Sequence, residues 1–383
     1  MEKRFVYADN GATTAVSERV LKAMLPFFRE QYGNPSAVHS MGRESRKAVE
    51  NARKKIAECL NCHPSEIYFT SGGTESDNIA LFSALKQCSD GRGHIITTAV
   101  EHKAVLEPCK ELEKRGFDVT YIIPDKNGAV SAEQVKKAIK GDTVLVSIMT
   151  ANNETGTIMP IESIGRLCRE KGIIFHTDAV QAVGKVNIDV QKQCIDMMSI
   201  SGHKINAPKG IGVLYARTGV KFSPAVFGGG QEKGMRSGTE NVPAIAAVGE
   251  AVTAVCEDPD EKNGYVKNLR DRLIAGLEAL GGKLNGDRKN RLCGNVSISF
   301  EGFESETMLL MLDMRGICAS GGSACSSGNG VVSHVLKAMG LTDTEAKGTL
   351  RFTLSEENTA EDIDYIIESM DDVITRLKKL REI

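Results

Sequence analysis

The sequence is short of net charge, of long apolar runs and of the two phosphate-binding signatures that most often mark a nucleotide protein. Acidic and basic side chains nearly cancel, 50 against 48, leaving a net charge of −2. No bulk field therefore draws the chain to nucleic acid or to an anionic membrane, and a small neutral or zwitterionic substrate fits better. Neither G-x-x-x-x-G-K-[ST] nor, after the first strand, G-x-G-x-x-G occurs, which argues against a nucleoside triphosphate or dinucleotide site. The opening Met1-Glu2-Lys3-Arg4-Phe5 reaches Asp9 and Asn10 before any apolar h-region forms, and no later run approaches membrane-spanning length. A cytoplasmic protein is expected. Ten cysteines at irregular spacing over 383 residues do not make the dense framework of a small secreted domain, so most are expected as reduced thiols. Cys59-Leu60-Asn61-Cys62-His63 matches both a haem-attachment and a redox C-x-x-C pattern. It closes an amphipathic run from Arg43 to Leu60 without an export signal or a thioredoxin-like context, and is read as a helix end.

With 41% hydrophobic residues, a chain of this length can bury a sizeable core in two or three domains. From Glu66 to about Tyr215, β-rich runs alternate with helical patterns, the signature of βαβ units around a mainly parallel sheet. Candidate strands are 67–70, 94–97, 119–123, 143–148, 172–176, 195–200 and 212–215. The loops after them are rich in polar, chemically competent residues, and in open α/β sheets ligands bind beyond the carboxyl ends of strands. After Gly228-Gly229-Gly230 one long helical region is expected from Val242 to about Leu280. A second alternation then starts at Asn295-Val296-Ser297-Ile298-Ser299-Phe300 and ends in a charged helix from Thr359 to Glu382. That change of rhythm suggests a smaller α+β domain, with expected boundaries at 15–255 for the large domain and at 1–14 plus 256–383 for the small one.

Single features leave alternatives open. Ser71-Gly72-Gly73-Thr74-Glu75 follows a strand and opens a helix, so its N–H groups and the helix dipole can hold a phosphate; a plain strand-to-helix turn reads the same. Asp178 ends an apolar strand, where an unpaired carboxylate is costly to bury, so it needs a protonated pyridine nitrogen, an Arg or a helix N-cap. Lys204 follows another buried strand in Ser199-Ile200-Ser201-Gly202-His203-Lys204; it is either a solvated lysine or one dry enough to form a Schiff base. His102, in Ala99-Val100-Glu101-His102-Lys103, sits at a third strand end, where an imidazole can stack on a ring or shuttle protons. Cys325 lies among glycines, serines and an asparagine with no large apolar neighbour, which suits an exposed loop. It is a free surface cysteine or a carrier that reaches both inward and outward.

Together, a phosphate cup, a strand-end Asp and a strand-end Lys in that order describe how proteins hold pyridoxal phosphate. The pattern resembles the fold-type-I pyridoxal-phosphate enzymes, and Ser201 to Lys204 resembles the class V aminotransferase group. Within that group the chain is similar, from Tyr7 to about Ile367, to the long-loop, group I cysteine desulfurases. The matching motifs are Asp9-Asn10-Gly11-Ala12-Thr13-Thr14, Tyr32-Gly33-Asn34-Pro35-Ser36, Thr70 to Ser76, Glu101-His102-Lys103, Asn152 to Gly156, Asp178-Ala179-Val180-Gln181, Gly229 to Glu232 with Arg236 to Thr239, and Ser323-Ala324-Cys325.

The resemblance implies a large, mainly parallel seven-stranded sheet domain, a smaller α+β domain carrying the Cys325 loop, and a role for each matched position. Lys204 would hold pyridoxal 5'-phosphate covalently, Asp178 would pair with the ring nitrogen, and Gln181 would hydrogen-bond the ring hydroxyl. His102 would stack on the ring and assist proton transfer. Gly73, Thr74, Ser201 and His203 would bind the phosphate, joined by Thr239 of a second subunit in a homodimer. Asn153, also counted among the cofactor contacts, and Arg351 would hold the substrate carboxylate, with Asn10 beside them. L-cysteine would yield L-alanine and a Cys325 persulfide, passed to an acceptor for iron–sulfur cluster assembly or another sulfur-containing product. No resident metal is implied, although Cys325 could contact a nascent cluster on a partner. A selenocysteine lyase or an aminotransferase of the same class would share Lys204, Asp178 and His102 without needing the Cys325 loop. The sequence departs from the pattern at Gly11, where many relatives have Asn or another polar residue, and at Gly321, where many have Ser. Its last helix stops at Ile383, short of the tail through which long-loop relatives commonly contact the scaffold protein, which leaves scaffold contact open.

Overall fold

The computed structural model describes residues 4–88, 92–224, 226–321 and 332–381. Its strands are β1 Val6–Tyr7, β2 Ile67–Thr70, β3 His94–Thr98, β4 Asp118–Ile122, β5 Thr143–Ser147, β6 Ile174–Asp178, β7 Met197–Ser201, β8 Gly212–Ala216, β9 Lys283–Leu284, β10 Asn295–Ser299, β11 Ile317–Cys318, β12 Ser320–Gly321 and β13 Thr349–Thr353. Seven of them form one sheet in the order β2-β8-β7-β6-β5-β3-β4. From β7 to β4 the neighbours are parallel, and β8 runs antiparallel to both β7 and β2. Two reversals in succession make β2 parallel to β7. The carboxyl ends of β2, β3, β5, β6 and β7 therefore share one sheet edge, and the polar loops singled out in the sequence all issue from it.

The inner strands read as unbroken apolar runs because helices cover both faces of the sheet. All five residues of β7 and all five of β3 are buried. The helix Ser40–Leu60 lays Val49, Ala52, Ile56 and Leu60 against the core and ends at Asn61, whose φ of 57° is the left-handed conformation that stops a helix. Cys59 and Cys62 therefore sit at a helix end, as read. Both are free, and burial pushes the Cys62 thiol up to about 12, so it is not a poised thiolate.

A separate core gathers Leu269, Leu273 and Leu277 of one helix with Val296, Ile298, Leu350, Phe352, Ile366 and Met370. Its antiparallel sheet runs β12-β13-β10-β9, and β1 joins the same unit by pairing in parallel with β11. The single helix expected from Val242 to Leu280 is two helices, Val242–Cys256 and Pro259–Ala279. Pro259 disfavours a right-handed helical residue before it, and Asp258 takes φ 49° instead. The first of these helices buries Val248 and Val252 in the large core, and the second buries its leucines in the small one. The break lies where the chain changes cores.

Candidate active site

At the shared strand edge lies a cavity of about 380 Å³. It gathers Gly73, Thr74, His102, Asn153, Asp178, Gln181, Ser201, His203, Lys204 and Arg351, from six separate stretches of chain. Asn10 and Thr239 are not among its lining residues, and Cys325 lies outside the described residues.

The phosphate cup forms where β2 ends and the helix Gly73–Phe82 begins. Its approach needs two glycines. A Cβ on Gly73 would stand 2.6 Å from Val180 Cγ2, and one on Gly212 would stand 2.5 Å from the backbone of Gly72. Thr74 on the helix and Ser201 at the end of β7 add hydroxyls to the same wall. His203 stands 3.2 Å from Thr13 Oγ1, and burial together with the Lys204 and Lys209 charges pushes it down to about 4, so it is neutral near pH 7.

Asp178 ends β6 and is buried. Its Oδ1 accepts from the Val180 amide at 2.8 Å. Burial raises its pKa, while that amide and the charges of His102 and Lys204 pull the other way. Lys204 closes a short turn after β7 and donates to the carbonyls of Gly11 and Ala12, both at 2.7 Å. Gln181 donates to the same Gly11 carbonyl at 2.9 Å. His102 caps the helix Lys103–Lys114, its Nδ1 accepting from the Ala104 amide at 3.1 Å, which leaves Nε2 to carry the proton.

Arg351 comes from β13 of the smaller sheet and is 2% exposed. It donates to Asn153 O and to Asp9 Oδ1, each at 3.1 Å, and its Nε has no partner among the described residues. A buried guanidinium with an unmet N–H is a ready host for a carboxylate. Asn10, expected beside the substrate, turns its amide to Thr353 O at 3.0 Å.

Several residues carried no role in the sequence reading: Glu154, Asp77 and His334, which line the cavity, and Glu101, which is buried next to the lining residues His102 and Met149. Glu101 accepts from the Met149 amide and from Thr98 Oγ1, and burial pushes it up to about 8. Glu154 accepts from Ser333 Oγ, and burial pushes it up to about 7. Glu101 and Glu154 stood inside matched motifs. The signal for Asp77 was its spacing: with Gly73, Ser76 and Ala80 it occupies the small-residue, buried face of a helix, an unusual place for a carboxylate.

These groups suit pyridoxal phosphate. A helix N-terminus without a Cβ at Gly73, with hydroxyls beside it, suits a dianionic phosphate. A buried carboxylate suits a cationic ring nitrogen, and an amine stands on the same wall. The sequence profile described as aminotransferase class V matches residues 6–366. The chain belongs to the class V aminotransferase family. Among its relatives, it is 48% identical over 380 residues to "Cysteine desulfurase IscS" of Methanosarcina thermophila, covering 99% of this chain and 94% of that one. It is also 48% identical over 377 residues to a cysteine desulfurase of Nostoc sp., covering 98% and 94%. Of solved structures, a NifS-like protein superposes with a TM-score of 0.92 at 40% identity over 97% of this chain and 100% of that one. One titled "SspA in complex with cysteine" superposes with a TM-score of 0.82 at 38% identity over 92% and 99%. As a class V member of the desulfurase kind, the protein is a pyridoxal-phosphate enzyme.

Proposed function

We propose that the protein is a cysteine desulfurase that converts L-cysteine to L-alanine and leaves the sulfur as a persulfide on Cys325. The observation that carries this reading is the single cavity in which Lys204, Asp178 and His102 meet a phosphate-binding helix start and the half-free guanidinium of Arg351. Pyridoxal phosphate, held by Gly73, Thr74, Ser201, His203, Asp178, Gln181 and Lys204, supplies an electron sink for the substrate's α-carbon. Arg351 and Asn153 hold the α-carboxylate and so fix which bond faces the amine of Lys204. Lys204 Nζ takes the α-proton and returns it one step later. His102, whose Nδ1 is occupied by a backbone amide, exchanges its proton through Nε2. The Cys325 thiolate attacks the substrate sulfur; the S–S bond forms as the substrate's Cβ–S bond breaks, and the carbon fragment keeps that electron pair, takes up a proton and leaves as alanine.

Both ends of the segment that bears Cys325 support this role. Ser320 pairs with Arg351 in the sheet register, and His334 lines the cavity. The finer assignments are part of the same proposal: a homodimer in which Thr239 serves the neighbouring subunit's phosphate site, domains divided as 15–255 and 1–14 plus 256–383, a cytoplasmic location, and transfer of sulfur to an acceptor for iron–sulfur cluster assembly or a related product. Among the described residues no helix is long and apolar enough to cross a membrane.

The test is Cys325→Ser. The variant should bind pyridoxal phosphate and L-cysteine with the parent's spectrum, yet form no persulfide and release no alanine. Alanine release at the parent rate would refute the sulfur-acceptor assignment and favour a lyase or an aminotransferase.

A further inference from the structure

From Asp178 at the cavity floor a buried polar chain runs through Ser199, His176, Asp77 and Ser147, and the proposed reaction uses only Asp178 of it. Sheet register sets Ser147 beside His176 and Asp178 beside Ser199, and the two-residue period places His176 and Asp178 on one face of β6. Asp77, from the helix that opens at Gly73, reaches this face with its Oδ1 3.6 Å from His176 Nε2. Ser147 Oγ lies 2.8 Å from His176 Nδ1, and Ser199 Oγ lies 3.0 Å from His176 Nε2. Asp77, His176 and Ser199 are at most 1% exposed. Asp77 Oδ1 has no hydrogen-bond partner among the described residues, although the carboxyl also meets the Ser199 hydroxyl.

Two carboxyls thus share a dry floor, and their surroundings are unequal. Asp178 has a backbone N–H at 2.8 Å and lies near the charges of His102 and Lys204. Facing Asp77 are His176 and Asp178 on β6, Ser199 on β7 and Glu101 beyond β3. Burial pushes His176 down to about 3 and Glu101 up to about 8, so both are neutral near pH 7, and the Asp178 carboxylate repels a second negative charge. Two carboxyls that interact within one buried, low-dielectric site do not both ionise. Burial, then Asp178, hold the Asp77 carboxyl well above the usual range.

We propose that Asp77 is a positioning residue that keeps the one proton of the Asp77–Asp178 pair, so that Asp178 is the single anion at the cavity floor. It acts through Asp178, and the inference rests on the reading of Asp178 as the partner of the cofactor's ring nitrogen. A neutral Asp77 leaves the full negative charge where a cationic ring nitrogen needs it; an ionised Asp77 would divide that role between two sites.

The decisive measurement is the infrared difference spectrum of the holoenzyme near neutral pH, parent minus Asp77→Asn. The expected result is loss of one protonated-carboxyl C=O band, separable from those of Glu101 and Glu154 because both remain in the variant. Stability against pH gives a second readout that a purely spatial role would not move. A folded-state pKa raised above that of a free aspartate means that stability falls as pH rises, from about the free value up to the folded one, by about tenfold in the folding constant per pH unit. Asp77→Asn should remove that component, and the variant should gain on the parent as pH rises. Asp178→Asn is the separate arm: it should release pyridoxal phosphate at least tenfold faster than Asp77→Asn does. If no acid band is lost in Asp77→Asn, the proposal fails while the reading of Asp178 stands. If Asp178→Asn keeps its cofactor like the parent, the reading of Asp178 fails first.

Discussion

Replacing Gly73 by Ala tests the link between the phosphate cup and the ring anion. Helix propensity alone predicts a gain, since Ala is favoured over Gly in a helix by about 0.5–1 kcal/mol. Packing predicts the opposite. The new Cβ would stand 2.6 Å from Val180 Cγ2, and carbon atoms settle at about 3.5–4.0 Å, so something must move by about 1 Å. Val180 cannot yield by turning, because a β-branched side chain is stiff at χ1. Overpacking of this kind costs about 1–3 kcal/mol, which outweighs the propensity gain. The shift also reaches chemistry, because the Val180 amide is the donor at 2.8 Å to Asp178. Weakening a hydrogen bond to a charged group costs about 1.5–3 kcal/mol, or roughly ten- to a hundredfold in cofactor retention. Bound pyridoxal phosphate is measured by absorbance after gel filtration, and its release is followed on dilution. Gly72→Ala is the control, since a Cβ there meets nothing within 4 Å. Gly73→Ala retaining cofactor like the parent, with stability raised rather than lowered, would refute the coupling.

Lys204→Ala should abolish alanine production from L-cysteine and loosen residues 11–12, whose carbonyls it holds; substantial turnover in that variant would remove Lys204 from its role. Glu154, at about 7 when folded against 4.5 free, is protonated in the folded chain and ionised in the unfolded one between those values, so stability falls as pH rises through that window. Glu154→Gln should therefore gain on the parent by about 3 kcal/mol between pH 4 and pH 8 in urea titrations, and a difference flat in pH would contradict the assignment. Glu232→Ala strands Arg53, whose Nη2 lies 2.7 Å from Glu232 Oε1 with both side chains under 10% exposed. Losing one partner of a buried pair costs about 3–5 kcal/mol, and a loss below about 1 kcal/mol on denaturation would show the pair to be replaceable.

The strands were legible because helices cover both sheet faces, which turns each one into a short apolar run that ends abruptly at a polar loop. β7 shows this well: Met197 to Ile200 are buried, and the chemistry begins at Ser201. The helix break at Asp258 was missed because the apolar periodicity continues across it while Pro259 interrupts only the backbone. Gly73, Asp178 and Lys204 were open questions one by one and became a site when taken in order. Asp77 and Glu154 could not be assigned in that way, since what distinguishes them is burial created by β6, β7 and the Ser333 hydroxyl, which lie far away in the chain. Asn10 shows the reverse case, a motif residue whose amide holds the chain rather than facing the cavity.

That chain segment explains how two separate cores make one site. Asp9 pairs with Arg351, the Asn10 amide bonds Thr353 O, and the Gly11 N–H bonds Thr353 Oγ1 at 2.6 Å, all on β13 of the small unit. From the other side, Lys204 and Gln181 hold the Gly11 carbonyl, and the Thr14 amide bonds His203 O in the large unit. The contact at Gly11 is close: a Cβ would stand 2.9 Å from Thr353 Cγ2. Glycine lets the strap lie flat on β13. Residues 9–14 therefore set the distance between the group that grips a carboxylate, Arg351, and the group that moves a proton, Lys204, although neither core alone contains both.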